Sequence, residues 1–340
     1  MNFNVYLEKI ITERTVSAES ATFFMEQTMA GELSEAQVSA WLVAFRSLNL
    51  DGNILAALAT EMRKAAVQFP AQSQLTLDTC GTGGDSSSQI NISTLSALVL
   101  ASIGCKVIKH GNRSVSSKSG SADLLESWSY PLAESATMAS ERLQKKNFCF
   151  LFAPTYHPAM KYAGPVRKQL GIKTVFNLLG PLANPSAPSL QVIGVYSSEL
   201  LDIFAQALQS LGLKAGLVVH SQDGTDEISP FAKTDYRLLI DGEISRGEID
   251  PGLLPLTNKD PDLLKIDGPE ESREIADKVI TGEHTAGMEI VALNAGTSLA
   301  LYRAIENNKG FELASQLQAA YDDVYSHLKS GKTSELVQSF

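Results

Sequence analysis

Three glycines, Gly81, Gly83 and Gly84, fall within four positions between Asp78-Thr-Cys and Asp85. Glycine lets a backbone adopt positive φ and come close to a ligand without a Cβ in the way. Amide N–H groups in such a turn, next to the positive end of a following helix, suit a phosphate or pyrophosphate. Asp85 is placed to hold ribose hydroxyls. Asn91, Ser93 and Thr94 put polar groups at the start of the next helix, and Lys109, His110, Asn112 and Arg113 follow directly on the next strand. The spacing is neither the G-x-G-x-x-G of dinucleotide binders nor the G-x-x-x-x-G-K-[ST] of phosphate loops. Alone, such a loop also reads as a tight strand-to-helix turn with no ligand.

A second cluster lies in Asp223-Gly-Thr-Asp-Glu-Ile-Ser229, after a strand ending at Val219-His220. Adjacent carboxylates Asp226 and Glu227 are hard oxygen ligands, suited to magnesium bridging a diphosphate. In isolation they read as a solvated acidic turn with Asp226 capping a helix. A phosphate loop on the same sheet edge favours the metal. Arg167, in Gly-Pro-Val-Arg-Lys, offers a two-pronged donor for a substrate carboxylate. His110 and His157 read as substrate contacts or as packed, hydrogen-bonded side chains. His220, His284 and His327 form no constellation. Cys80, Cys105 and Cys149 lack metal-ligand spacing and read as reduced, buried thiols, against a nucleophilic reading of Cys80.

The elements that must position these groups follow from periodicity. Residues 4–70 show only helical patterns, with Ser17, Ser34 and Asp51 as caps and Pro70 as the end. From 75 onward strands and helices alternate: a strand at 75–79, a helix capped by Ser93 or Thr94 through 103, and a strand at 106–109. A loop at 113–121 precedes helices at 122–127 and 135–145 and a buried strand at 148–152. Six prolines punctuate 153–188, with helical turns at 160–170 and 176–179, so this segment crosses back to the helical unit and hinges there. Strands at 191–195 and 216–219 flank a helix at 198–211, and 236–248 reads as a hairpin turning on Asp241-Gly242. The tail predicts a helix from about 268, one from His284 or Met288, one at 297–305 and one at 311–329. The expectation is an α/β chain. A small all-helical domain comprises 1–70 with part of 155–188. A larger domain comprises 71–154 and 189–340, with a mixed, mainly parallel central sheet flanked by helices. Hinges fall near 70–75, 153–158 and 185–190.

The 340 residues carry a net charge of −10 and 44% apolar residues. That balance disfavours nucleic acid as partner, and no apolar run is long enough to span a membrane. Without a signal-peptide pattern the expectation is a cytoplasmic protein.

Read together, the motifs resemble the anthranilate phosphoribosyltransferase family. The resemblance rests on Asp78-Thr-Cys-Gly-Thr-Gly-Gly-Asp85, Asn91-Ile-Ser-Thr94, the run from Lys109-His-Gly-Asn-Arg to Ala122-Asp123, His157-Pro-Ala-Met160, Gly164-Pro-Val-Arg167, Val175-Phe-Asn-Leu-Leu-Gly-Pro-Leu-Ala-Asn-Pro185 and Asp223 to Ser229. It implies a nucleoside phosphorylase/phosphoribosyltransferase-like fold, usually dimeric through the helical part. The implied reaction transfers phosphoribosyl from phosphoribosyl pyrophosphate to the amine of anthranilate, in tryptophan biosynthesis. Carried over by position, Gly81, Thr82, Gly84, Asp85, Gln89, Asn91, Ser93, Thr94, Lys109, Asn112, Arg113, Ser116, Ser117 and Ser121 hold phosphoribosyl pyrophosphate. Gly81, His110, Asn112, His157 and Arg167 meet anthranilate. Ser93, Asp226 and Glu227 ligate magnesium. Gln89 stands where many members have a small hydroxyl residue. The alternatives are a pyrimidine nucleoside phosphorylase on the same architecture, and a non-catalytic nucleic-acid-binding relative with eroded motifs and a basic surface.

Overall fold

The computed structural model describes residues 2–84, 89–114, 118–258 and 260–340. Four helices open the chain: α1 (Phe3–Glu13), α2 (Ala18–Ala30), α3 (Glu35–Arg46) and α4 (Gly52–Lys64). The cap side chains of Ser17, Ser34 and Asp51 each accept a backbone N–H of the first turn. The buried faces meet around Phe24, Trp41 and Phe45, with the Trp41 indole donating to Thr28 Oγ1 at 3.1 Å.

The alternating part follows: β1 (Leu77–Gly81), α5 (Ile92–Ile103), β2 (Val107–Gly111), α6 (Ser121–Ser127), α7 (Ala136–Lys146) and β3 (Phe148–Phe152). The proline-rich return carries α8 (Ala153–Tyr156), a tight turn at Pro158–Tyr162, α9 (Gly164–Leu170) and α10 (Phe176–Leu179). Then come β4 (Leu190–Gly194), α11 (Leu200–Ser210), β5 (Ala215–Ser221), β6 (Thr234–Ile240) and β7 (Glu243–Ile249). The chain closes with α12 (Pro269–Ile280), α13 (Thr285–Glu306), α14 (Leu313–Lys329) and α15 (Lys332–Gln338).

One seven-stranded sheet runs β3-β2-β1-β4-β5-β6-β7. The first five strands of that order are parallel, and β6 and β7 are antiparallel. Asp241 and Gly242, both at positive φ, make the expected hairpin turn. One core layer packs α5, α13 and α14 on one face of the sheet. On the other face, Ile193, Val195, Val218 and α11 share a continuous core with α1 to α4 and with the return segment. The chain leaves β1 towards β2 and β3 on one side and reaches β4 and β5 on the other. The crevice beyond the carboxyl ends of β1 and β4 is therefore a topological switch point, where open α/β sheets bind ligands.

Several expected boundaries move. β1 lies two residues later than predicted, because its pairing runs Leu77↔Leu190 to Gly81↔Gly194. The helix expected to be capped by Ser93 or Thr94 begins at Ile92. Asn91 flanks it without a side-chain cap, its amide being engaged elsewhere. The two helices expected over 284–305 are one, α13. Gly296 does not end it: a Cβ there would lie 2.9 Å from the Tyr321 backbone, so the glycine admits α14 at close range. The helix expected over 160–170 divides before Pro165, which cannot donate an N–H to a preceding turn.

Candidate active site

The glycine turn and the acidic pair meet directly. Gly83 N–H donates to Asp226 Oδ2 at 2.7 Å. Glycine on two strands makes this possible. A Cβ at Gly81 would stand 2.5 Å from Asp226 Oδ2, and one at Gly194 would stand 1.5 Å from the Asp226 carbonyl. Asp226 is buried and no helix follows it, so neither the solvated turn nor the helix cap describes it. Thr82 N–H is also bonded, to Gly194 O at 2.9 Å. The expectation of a wholly open amide cradle is thus amended. Two of the turn's donors fasten it to β4 and Asp226, and donors for a ligand begin at Gly84.

These residues line one cavity of about 960 Å³ at the carboxyl ends of β1, β2 and β4. Gly81, Thr82, Gly84, Gln89, Asn91, Ser93, Thr94, Lys109, Asn112, Arg113 and Ser121 stand on its sheet side, with Asp226 and Glu227. His157 and Arg167 come from the return segment, and His110 from the end of β2. Asp85, Ser116 and Ser117 lie outside the described residues.

Within that wall the side chains have distinct duties. Lys109 is only 2% exposed, and its ammonium donates to Thr79 O and, at 3.2 Å, to Ser93 Oγ. Beneath it Asp78 accepts from Asn184 Nδ2 at 2.9 Å. Burial raises the Asp78 pKa and lowers that of Lys109, while each one's charge opposes the other's shift. Asn91 donates to Ser119 O at 3.0 Å and accepts from Ser272 Oγ at 2.7 Å, tying the helix start to α12 and the loop before α6. Arg113 forms a fork with Glu126 at 2.6 and 2.7 Å and reaches Asp123 at 3.1 Å. Ser121 Oγ holds Asn112 O at 3.2 Å. Gln89 bridges to Lys265 through an isolated strand-like pairing.

The His110 and His157 rings stand edge to face, 5.1 Å between centroids. Burial pushes the His110 pKa down to about 3 and that of His157 to about 4, so both are neutral near pH 7. Each Nε2 is buried with no hydrogen-bond partner among the described residues. The Arg167 guanidinium lies over the Phe176 ring at 5.2 Å, and burial lowers its pKa. No carboxylate among the described residues pairs with it. A flat cation on an aromatic face suits an aromatic carboxylate.

The hard oxygens Ser93 Oγ, Asp226 and Glu227 fit a magnesium ion that keeps positions for phosphate oxygens and water. Among the described residues no group of three His, Cys, Asp or Glu lies close enough to hold a metal ion. Cys80 lines the cavity, and burial pushes its thiol pKa well up, which disfavours a thiolate nucleophile. Reading the sequence did not single out Lys173, Tyr196 or Phe176, which also face the cavity. Phe176 lies within the motif from Val175 to Pro185, whereas no motif marks Lys173 or Tyr196, which the return segment and the end of β4 bring there.

Fold and site together define a glycosyltransferase built from a helical bundle and an α/β unit. Residues 4–66 match the family model of the glycosyl transferase helical bundle domain, and 73–334 that of the glycosyl transferase a/b domain. The anthranilate phosphoribosyltransferase of Hydrogenovibrio crunogenus is 43% identical over 86% of each chain, and that of Lacticaseibacillus casei 37% over 93% of this chain and 96% of its own. The crystal structure of anthranilate phosphoribosyltransferase from Thermus thermophilus superposes with a TM-score of 0.85 at 37% identity, covering 98% of this chain and 97% of that one. The Saccharomyces cerevisiae enzyme in complex with phosphoribosyl pyrophosphate and magnesium shares the fold, TM-score 0.88, at 22% identity over 99% and 96%. The chain belongs to the anthranilate phosphoribosyltransferase family, which sets aside the nucleoside phosphorylase and nucleic-acid-binding alternatives.

Proposed function

We propose that the two walls of the cavity divide the substrates of one reaction between them. The reaction is transfer of the phosphoribosyl group of 5-phosphoribosyl 1-pyrophosphate to the amine of anthranilate, giving N-(5-phosphoribosyl)anthranilate and pyrophosphate, in tryptophan biosynthesis. Phosphoribosyl pyrophosphate lies along the sheet side, against Gly81, Thr82, Gly84, Asp85, Gln89, Asn91, Ser93, Thr94, Asn112, Arg113, Ser116, Ser117 and Ser121. Lys109 acts from beneath, by fixing Ser93. Anthranilate enters from the other side, its carboxylate on Arg167 and its ring near His110 and His157, with Gly81 and Asn112 at the meeting point. The observation that carries this division is the Arg167 guanidinium on Phe176, paired with no carboxylate among the described residues, while Asp226 is locked to the glycine turn.

The amine is neutral at pH 7, so no strong base is required. Its lone pair forms the bond to the anomeric carbon as the carbon–oxygen pair departs with pyrophosphate, and the nitrogen then sheds its proton to water or to pyrophosphate. Neutral His110 and His157 can accept a hydrogen bond at Nε2 without adding a cation to the pocket. Ser93, Asp226 and Glu227 would hold magnesium, which supplies charge neutralisation on the diphosphate. Held on opposite walls, the two reactants meet without a diffusional search.

The helical body is 1–70 with part of 155–188, and the sheet body 71–154 with 189–340. The chain pairs with a second copy through the helical body, where Val5, Ile11 and Val43 stand exposed. Three unpaired thiols suit the cytoplasm. No helix of the described residues is long and apolar enough to cross a membrane. The test is loss of anthranilate fluorescence on adding phosphoribosyl pyrophosphate. Consumption should require magnesium and stop on chelation; consumption unaffected by chelation would remove the metal from the reading.

A further inference from the structure

No acidic residue lies between Glu141 and Glu199, in a chain whose net charge is −10. Lys161, Arg167 and Lys173 carry the positive charge of that stretch onto the cavity wall, and no carboxylate among the described residues pairs with any of them. Lys173 sits apart from the Phe176 face that holds Arg167. Its Nζ is 4.4 Å from the centroid of Tyr196, and a Cβ on Gly84 would stand 3.1 Å from that same Nζ. Tyr196 is itself tied to the glycine turn, its N–H donating to Thr82 Oγ1 at 3.2 Å. The ammonium is therefore held beside Gly84, the first residue of the turn whose N–H has no acceptor among the described residues.

We infer that Lys173 is a substrate-contacting residue whose ammonium binds the pyrophosphate end of phosphoribosyl pyrophosphate from the side facing Asp226 and Glu227. The inference rests on the reaction proposed above. An ammonium is a compact charge with rotatable donors, suited to phosphate oxygens that gain charge as the carbon–oxygen bond breaks. Tyr196 keeps that charge over the turn without neutralising it. Arg167 and Lys173 thereby sort two anions, the flat carboxylate held on Phe176 and the diphosphate at Gly84, which Lys173 reaches from across the cavity.

Calorimetric titration of inorganic pyrophosphate with magnesium into the wild type, Lys173→Met and Lys173→Arg tests this without turnover, alongside steady-state kinetics. Because the side chain is exposed, all three should melt together. Lys173→Met should weaken pyrophosphate about tenfold, about 1.4 kcal/mol. It should raise the KM of phosphoribosyl pyrophosphate in proportion and leave that of anthranilate within about twofold, while Lys173→Arg keeps most of the affinity. Unchanged pyrophosphate affinity in Lys173→Met, or an equal rise in both KM values, overturns the inference. A wild type that binds pyrophosphate through Lys173 but consumes no anthranilate would instead overturn the reaction and leave Lys173 standing.

Discussion

Replacing Arg167 with methionine should separate the two walls by kinetics. The guanidinium is half-buried, stacked on Phe176 and without a carboxylate partner among the described residues. Its desolvation is therefore already incurred in the free protein, and a substrate carboxylate recovers it. Removing one member of a desolvated, hydrogen-bonded charge pair costs about 2–5 kcal/mol, so kcat/KM for anthranilate should fall by roughly 30- to 5,000-fold. The KM of phosphoribosyl pyrophosphate should stay within about threefold. Repeating both assays with anthranilamide closes a cycle in which substrate and protein each lose a charge. The wild type should discriminate strongly between acid and amide, and Arg167→Met should scarcely do so. The stability sign is opposite: deleting an uncompensated, half-buried charge should leave the variant at least as stable as the wild type, a trade of activity against stability. Equal losses for both substrates, or discrimination against the amide surviving in Arg167→Met, would refute the assignment.

Gly194→Ala should be far more harmful than an alanine in open space, because its Cβ would stand 1.5 Å from the Asp226 carbonyl. A loss of about 3 kcal/mol or more in denaturant stability is expected, with weaker pyrophosphate binding, while Gly310→Ala should cost less than about 0.5 kcal/mol; similar midpoints for the two would contradict the packing. His110 and His157 titrate lower in the folded chain than the ordinary 6.5, so between pH 6.5 and about 4 the unfolded chain binds more protons. Stability should be full above pH 6.5 and fall as pH drops through that window, by ~3 kcal/mol per histidine at most. Melting curves of His157→Gln should show a shallower fall across it, and an unchanged slope would count against a neutral buried His157.

What could be read in advance depended on whether a signal was local. Ser17, Ser34 and Asp51 announce helix starts because each cap bonds within three residues of itself. The glycine turn and the Asp226-Glu227 pair are likewise short motifs at strand ends. Their meeting is not local: it needs two strands in register at Gly81 and Gly194, and a loop from β5 folded over both. Lys109 reads as a ligand contact, and while it lines the cavity its ammonium also bonds Thr79 O and Ser93 Oγ, partners 30 and 16 residues away that no local spacing announces. Arg113, read as a phosphoribosyl pyrophosphate contact, lines the cavity and also pairs with Glu126 and Asp123, which no local spacing announces. Lys173 gave no signal, because a single lysine ordinarily lies in solvent and only the fold of the return segment turns it towards Gly84.

The seam between α4 and α11 limits how the cavity can shut. A Cβ on Gly52 would lie 2.4 Å from Gln206 Cβ and 2.6 Å from the backbone of Ile203 and Ala207, so the two helices touch there almost backbone to backbone. The same apolar layer continues across the sheet without a break, and prising it apart would wet aliphatic surface. Lifting the helical part off the sheet would have to break this seam, so any closure of the mouth that keeps the core dry keeps α4 against α11.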